Sequence, residues 1–128
     1  MDSKLESPAP VDLYEYQGKE LFKRFGIPVS EGRVAITADE ARAAAEELGG
    51  QVVAKAQVLT GGRGKAGGIK LADSPDEAAQ HAGAILGMDI NGHVVRKLWI
   101  EKASDIEREY YLSVTFDRGE KKALFMLT

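Results

Sequence analysis

The chain has no cysteine, two histidines and a single tryptophan among its 128 residues. Without cysteine, disulfide frameworks, thiolate metal sites and thiol nucleophiles are all excluded. His81 and His93 fall in different predicted segments and suggest no metal pair. No apolar run approaches the roughly 20 residues that a membrane-spanning helix needs. Excess positive charge is lacking too: 17 Lys and Arg stand against 20 Asp and Glu, for a net charge of -3. No global field therefore attracts nucleic acid. Residues 1–11 lack a hydrophobic core and carry acids, so they match neither a secretory signal nor an Arg-rich transit peptide. They read as a flexible leader, and a cytoplasmic location is expected by default.

What is present suits a soluble globular chain: 44% hydrophobic and 29% charged residues. The length fits one domain or part of a larger one. Asp12-Leu-Tyr-Glu15, Thr37-Ala-Asp-Glu40 and Ser74-Pro-Asp-Glu77 each set a capping oxygen three residues before a glutamate. The first predicts a helix from Leu13 to Phe25, with Leu21, Phe22 and Phe25 on one face and a stop at Gly26 and Pro28. The second predicts a helix burying Ala41, Ala44, Ala45 and Leu48 and stopping at Gly49-Gly50. The third runs from Pro75 to about Leu86 and buries Ala78, Ala79, Ala82, Ile85 and Leu86.

Strands are predicted at Val52–Ala56, Ile69–Ala72 and Lys97–Glu101, and at the alternating run Glu109–Phe116. Asp117-Arg-Gly-Glu120 reads as a turn that folds this last strand onto Lys122–Thr128. The chain stops inside that apolar run, which reads as a fragment of a larger domain. The mixture of elements predicts an α+β fold.

The segment most informative about chemistry is Gln57–Gly68, in which five of twelve residues are glycine and Arg63 and Lys65 are cationic. Glycine lets backbone N–H groups approach a bulky anion, and arginine and lysine add donors and charge suited to phosphate. A P-loop would need glycine at Leu59 and a hydroxyl at Ala66. The dinucleotide pattern is present as Gly62-Arg-Gly-Lys-Ala-Gly67, but a strand rather than a helix follows it. A strand–loop–strand lid is the geometry that remains. In kinases the phosphate-contacting lysine follows such a lid; here Lys55 precedes it, inside an apolar run. A cation there needs an anionic partner, which phosphate can supply. The bland alternative is a surface lysine on an edge strand.

Asp12-Leu-Tyr-Glu-Tyr-Gln-Gly-Lys-Glu-Leu-Phe22, Phe25-Gly-Ile-Pro28, Val53–Gly68 and Ile100–Leu112 together resemble the start of the β subunit of succinate–CoA ligase. The resemblance covers almost everything from Asp12 onward. It implies the N-terminal subdomain of an ATP-grasp fold over residues 12–128, incomplete at its C-terminus. It implies that Lys55 contacts the nucleotide phosphates and that Gly62, Arg63 and Gly64 wrap them. Glu101, Ser104 and Glu109 are placed by it at the adenine-side hinge and the ribose. Ser104-Asp-Ile-Glu107 also reads as a capping box for a short turn, and Glu109 as a solvated strand residue. The implied cofactors are ATP or ADP, with GTP or GDP left open because Leu59 stands where some relatives carry histidine. Magnesium is implied with ligands beyond residue 128. The implied partner is an α subunit carrying the phosphohistidine and the CoA site; no nucleic acid or membrane is implied. Alternatives are malate–CoA ligase, another acid–CoA ligase β subunit, a carboxylate–amine ligase of the same superfamily, and an inert fragment.

Overall fold

The computed structural model describes residues 12–128, so the leader expected at residues 1–11 lies outside the described residues. The first helix, α1, spans Glu15–Arg24. It begins later than the Asp12 signal predicts. Tyr14 is the N-cap, and its backbone N–H donates to the Gln17 side chain at 2.9 Å. None of its residues is buried; Leu21, Phe22 and Phe25, which the sequence sets on one face, are exposed. A helical apolar stripe says which residues share a face, not what covers it.

After β1 (Gly32–Ala35), a strand with no clear sequence signal, α2 (Ala38–Leu48) follows the predicted pattern. Thr37 accepts from the Glu40 N–H at 3.1 Å, and Gly49 ends the helix at φ 69°. β2 (Val52–Ala56) and β3 (Ile69–Ala72) flank the glycine segment, and α3 (Pro75–Ile85) starts at Ser74, which accepts from the Glu77 N–H at 3.1 Å. Leu86, expected in the core, is half-buried instead.

Two short strands, β4 (Asp89–Ile90) and β5 (His93–Val94), form a hairpin through Asn91-Gly92. Both turn residues have positive φ, 52° and 83°, the backbone that a type I′ turn requires. His93 opens β5. The chain continues through β6 (Leu98–Lys102) into the hairpin of β7 (Leu112–Asp117) and β8 (Lys122–Leu127). That hairpin is a separate two-stranded sheet whose apolar side chains are largely exposed.

The main sheet has the order β1-β6-β2-β3, with every neighbouring pair antiparallel. Period-two alternation sorts its residues. Ala54 and Ala56 of β2 and Leu98 and Ile100 of β6 point into the core with α2 and α3. Alanine on both helices lets them pack closely against each other and the sheet. The residues between, Lys55, Trp99 and Glu101, point to the opposite face, where α1 lies. On β1, Gly32 faces the same way, and a Cβ there would come within 2.3 Å of the Trp99 ring.

Candidate functional site

Lys55 lies near the end of β2 with Trp99 and Ile69 as its cross-strand neighbours, and its side chain rises from the open face. Its ammonium donates to Glu15 Oε1 and to Glu101 Oε1, each at 3.1 Å. Arg63 reaches back from the glycine loop to Glu15 Oε2 at 2.5 Å and to the Ala56 carbonyl at 2.9 Å. Lys19, one turn after Glu15 on α1, pairs with Glu15 at 3.3 Å and with Glu101. Three cations thus enclose two carboxylates, at the junction of α1, β2, β6 and the loop.

The expectation that Lys55 needs an anion is met here by carboxylates. Burial would by itself raise the Glu15 carboxyl; the Arg63 hydrogen bond and the charge of Lys55 outweigh it and bring Glu15 down to about 2. Burial likewise opposes ionisation of Lys55, but Glu15 and Glu101 hold its ammonium above the ordinary lysine value. Glu101 is lowered against its burial by Lys19, Lys55 and the Trp99 indole N–H, which donates to it at 2.7 Å. Glu15, Lys55 and Glu101 are therefore charged near neutral pH.

The loop has donors without a partner among the described residues. Its second half closes on itself: the N–H groups of Ala66, Gly67 and Gly68 donate to Gly62, Gly64 and Arg63 carbonyls. The N–H groups of Gly62, Arg63 and Gly64 make no hydrogen bond to another described residue. Gly62 needs its glycine, at φ 80°. The β4–β5 hairpin braces the loop, since the Asn91 amide donates to the Gly61 carbonyl at 3.2 Å and Ile90 packs where a Gly68 Cβ would be. A cleft of about 570 Å³ runs along Leu59–Arg63 to Glu15 and Asp12.

Of the other expected site residues, Glu101 bonds Lys55 directly and Arg63 shares Glu15 with it, while Gly62 and Gly64 flank Arg63 on the loop. Ser104 and Glu109 do not join them. Both are exposed on the irregular segment after β6, outside any capped turn, and Glu109 precedes β7 instead of lying on it. Glu15, Lys19 and Gln57 were not foreseen. Glu15 and Lys19 carried a signal in their opposite charges four residues apart. Gln57, almost fully buried, accepts from the Tyr16 N–H at 3.1 Å and donates to the Lys55 carbonyl at 3.2 Å, tying α1 to the end of β2. Tyr14, Tyr16 and Trp99 stack in series above it, with centroids 5.9 and 6.1 Å apart.

Among the described residues no three acidic, histidine or cysteine side chains converge as a metal set. The two carboxylates that do converge are engaged by ammonium and guanidinium groups, so they do not fit magnesium in this arrangement. No described helix is long and apolar enough to cross a membrane.

Known proteins resemble this chain in sequence and in fold. The chain is 61% identical over 118 residues to the β subunit of an ADP-forming succinate–CoA ligase from Rubrobacter xylanophilus, covering 92% of this chain and 31% of that one. The chain thus spans about a third of the length of that relative. Among solved structures, a dinucleotide-forming acetyl-coenzyme A synthetase 1 from Ca. Korarchaeum cryptofilum, in complex with coenzyme A, Ca-AMPCP and HgCl+, superposes with a TM-score of 0.79 at 20% identity. That match covers 93% of this chain and 55% of the other. A second structure of that synthetase, with coenzyme A, acetyl-coenzyme A and a phosphorylated phosphohistidine segment, gives 0.71 at 21% identity, over 91% of this chain and 53% of the other. At these identities the superpositions speak for the fold alone. Residues 12–128 match the sequence profile described as the ATP-grasp domain, and by that match, spanning all the described residues, the chain belongs to the ATP-grasp family.

Proposed function

We propose that this chain binds the phosphates of a nucleoside triphosphate or diphosphate on the open face of its sheet. In that role it serves the β subunit of an ADP-forming succinate–CoA ligase. The observation that carries the reading is the convergence of Lys55 and Arg63 on one anion, beside a loop whose Gly62, Arg63 and Gly64 N–H groups have no partner among the described residues. Two cations and a row of N–H donors suit a chain of phosphates. In phosphoryl transfer the protein's contribution is mainly positioning and charge neutralisation. Lys55 and Arg63 would supply these, and no nucleophile is required of this chain.

The same reading assigns Glu101, Ser104 and Glu109 to the adenine-side hinge and ribose. The reaction would interconvert succinyl-CoA, nucleoside diphosphate and phosphate with succinate, CoA and nucleoside triphosphate, as in the tricarboxylic acid cycle, in the cytoplasm. It would involve an α subunit bearing the phosphohistidine and the CoA site. Magnesium would be held by residues other than those described. The 61% identity to an ADP-forming enzyme favours ATP over GTP.

Calorimetric titration of the chain with ATP tests the reading. Binding is expected, with Lys55→Ala weakening it about a hundredfold, the loss anticipated when one partner of a buried charge-assisted contact is removed. No heat at millimolar ATP, or equal affinity in the variant, would refute it.

A further inference from the structure

The cations assigned to phosphate already hold an anion of the protein's own. One carboxylate, Glu15, bridges both: Oε1 lies 3.1 Å from the Lys55 ammonium, and Oε2 lies 2.5 Å from the Arg63 guanidinium. The remaining charged groups facing it are Lys19 on α1, 3.3 Å away, and Glu101 on β6, which shares Lys55 and Lys19. A carboxylate linking two cations in this way occupies the place where a phosphate would link them.

The helix carrying Glu15 is seated weakly. α1 has no buried residue, and its apolar residues face outward. Polar and aromatic contacts hold it: the Glu15 and Lys19 ion pairs, the Tyr16 N–H on Gln57, and Tyr16 stacked on Trp99. Such contacts can be exchanged at modest cost, whereas a buried apolar stripe could not.

We propose that Glu15 is a carboxylate latch, an internal competitor that a polyphosphate must displace from Lys55 and Arg63, releasing the N-terminal turn of α1 as it binds. This rests on the phosphate reading above. With Glu15 in place, three cations face two carboxylates, and one positive charge is left over. With Glu15 swung out, the surplus is two. A polyphosphate carries enough charge to replace the carboxylate on both cations at once, whereas a single orthophosphate replaces it less effectively. The latch therefore sets a threshold that favours chains of phosphates over free phosphate. Glu15 acts as a positioning residue, through the cations it holds.

The test is calorimetry of the 128-residue chain with inorganic tripolyphosphate and with orthophosphate, alongside the emission of Trp99, the single tryptophan, which stacks on Tyr16. The latch predicts that E15Q binds tripolyphosphate about tenfold more tightly, within the usual range of coupling between sites. It also predicts that E15Q narrows the preference over orthophosphate. Binding should shift Trp99 emission in the wild type and shift it less in E15Q. A merely structural ion pair would yield weaker binding when removed. Should E15Q fail to give a native circular dichroism spectrum, E15D decides: its shorter carboxylate spans the two cations poorly, so binding should tighten several-fold. Binding by E15Q but not by the wild type also upholds the latch. Wild-type binding that K55A abolishes, with E15Q unchanged or weaker, overturns the latch alone. No tripolyphosphate binding by the wild type, E15Q or E15D overturns the phosphate reading and the latch with it.

Discussion

Alternate residues of the same strands build two unlike faces of the main sheet. One face carries Ala54, Ala56, Leu98 and Ile100, sealed by α2 and α3. The other carries Lys55, Trp99 and Glu101 beneath α1, half-open and charged. A single step along β2, from Ala54 to Lys55, passes from a dry alanine contact to an ion-pair cluster. The comparison teaches where stability and function separate. The covered face spends its residues on packing, which is favourable with no ligand present. The open face keeps charges whose pairing with each other is offset by desolvation, so exchanging one anion for another costs little.

The contrast would break most visibly at Ile100. Ile100→Ala should lower stability by about 2–5 kcal/mol, the usual range for a buried large-to-small change. Denaturant unfolding reads it, and a loss below about 1 kcal/mol would mean that this face is loosely packed. The next largest effect is expected at Gln57, where the two faces meet at the end of β2. Gln57→Ala strands the Tyr16 N–H, at a cost of about 1–3 kcal/mol if that group stays dry. Amide exchange at Tyr16 should quicken, while exchange in α2 and α3 changes little; equal acceleration in all three helices would contradict the division of labour.

The smallest effect is the acid response of the open face. Glu15 lies at about 2, below its ordinary 4.5, and Glu101 is lowered as well. Both folded values are depressed, so their contribution is present above pH 4.5 and is lost on acidification, for Glu15 as the pH falls toward about 2. The melting temperature should therefore decline across that window, and less steeply in E15Q. Identical slopes for the two proteins would remove Glu15 from the account.

The covered face was largely legible in the sequence, because its signals are local. Thr37 and Ser74 cap helices whose alanines recur at helical spacing, and Gly49 ends one of them. The open face was legible only in part. Lys55, Arg63 and Glu101 stand out as charges in or beside apolar segments, but their partner Glu15 lies 40 residues before Lys55, a separation no local pattern spans. The Asp12–Glu15 spacing imitates a capping box and so reads the Glu15 side chain as a cap, whereas Glu15 is the first residue of α1 and its carboxylate binds Lys55 and Arg63. β1 went unseen because four residues, Gly-Arg-Val-Ala, are too few to show alternation. The β4–β5 pair had a signal in Asn91-Gly92, though strands of two residues give it nothing to flank. Ser104 and Glu109 rested on resemblance, and the segment that bears them makes no regular structure.

Gly32 under the Trp99 ring has a consequence for the edge of the sheet. An edge strand is held on one side only, and sliding along its neighbour is its natural failure. If β1 slipped by one residue, Glu31 or Arg33 would come under the indole; if it slipped by two, Ser30 or Val34 would. Each brings a Cβ into space that the ring already fills to within 2.3 Å. The missing side chain thus works as a keyway, admitting one alignment of the edge and rejecting its neighbours by collision alone.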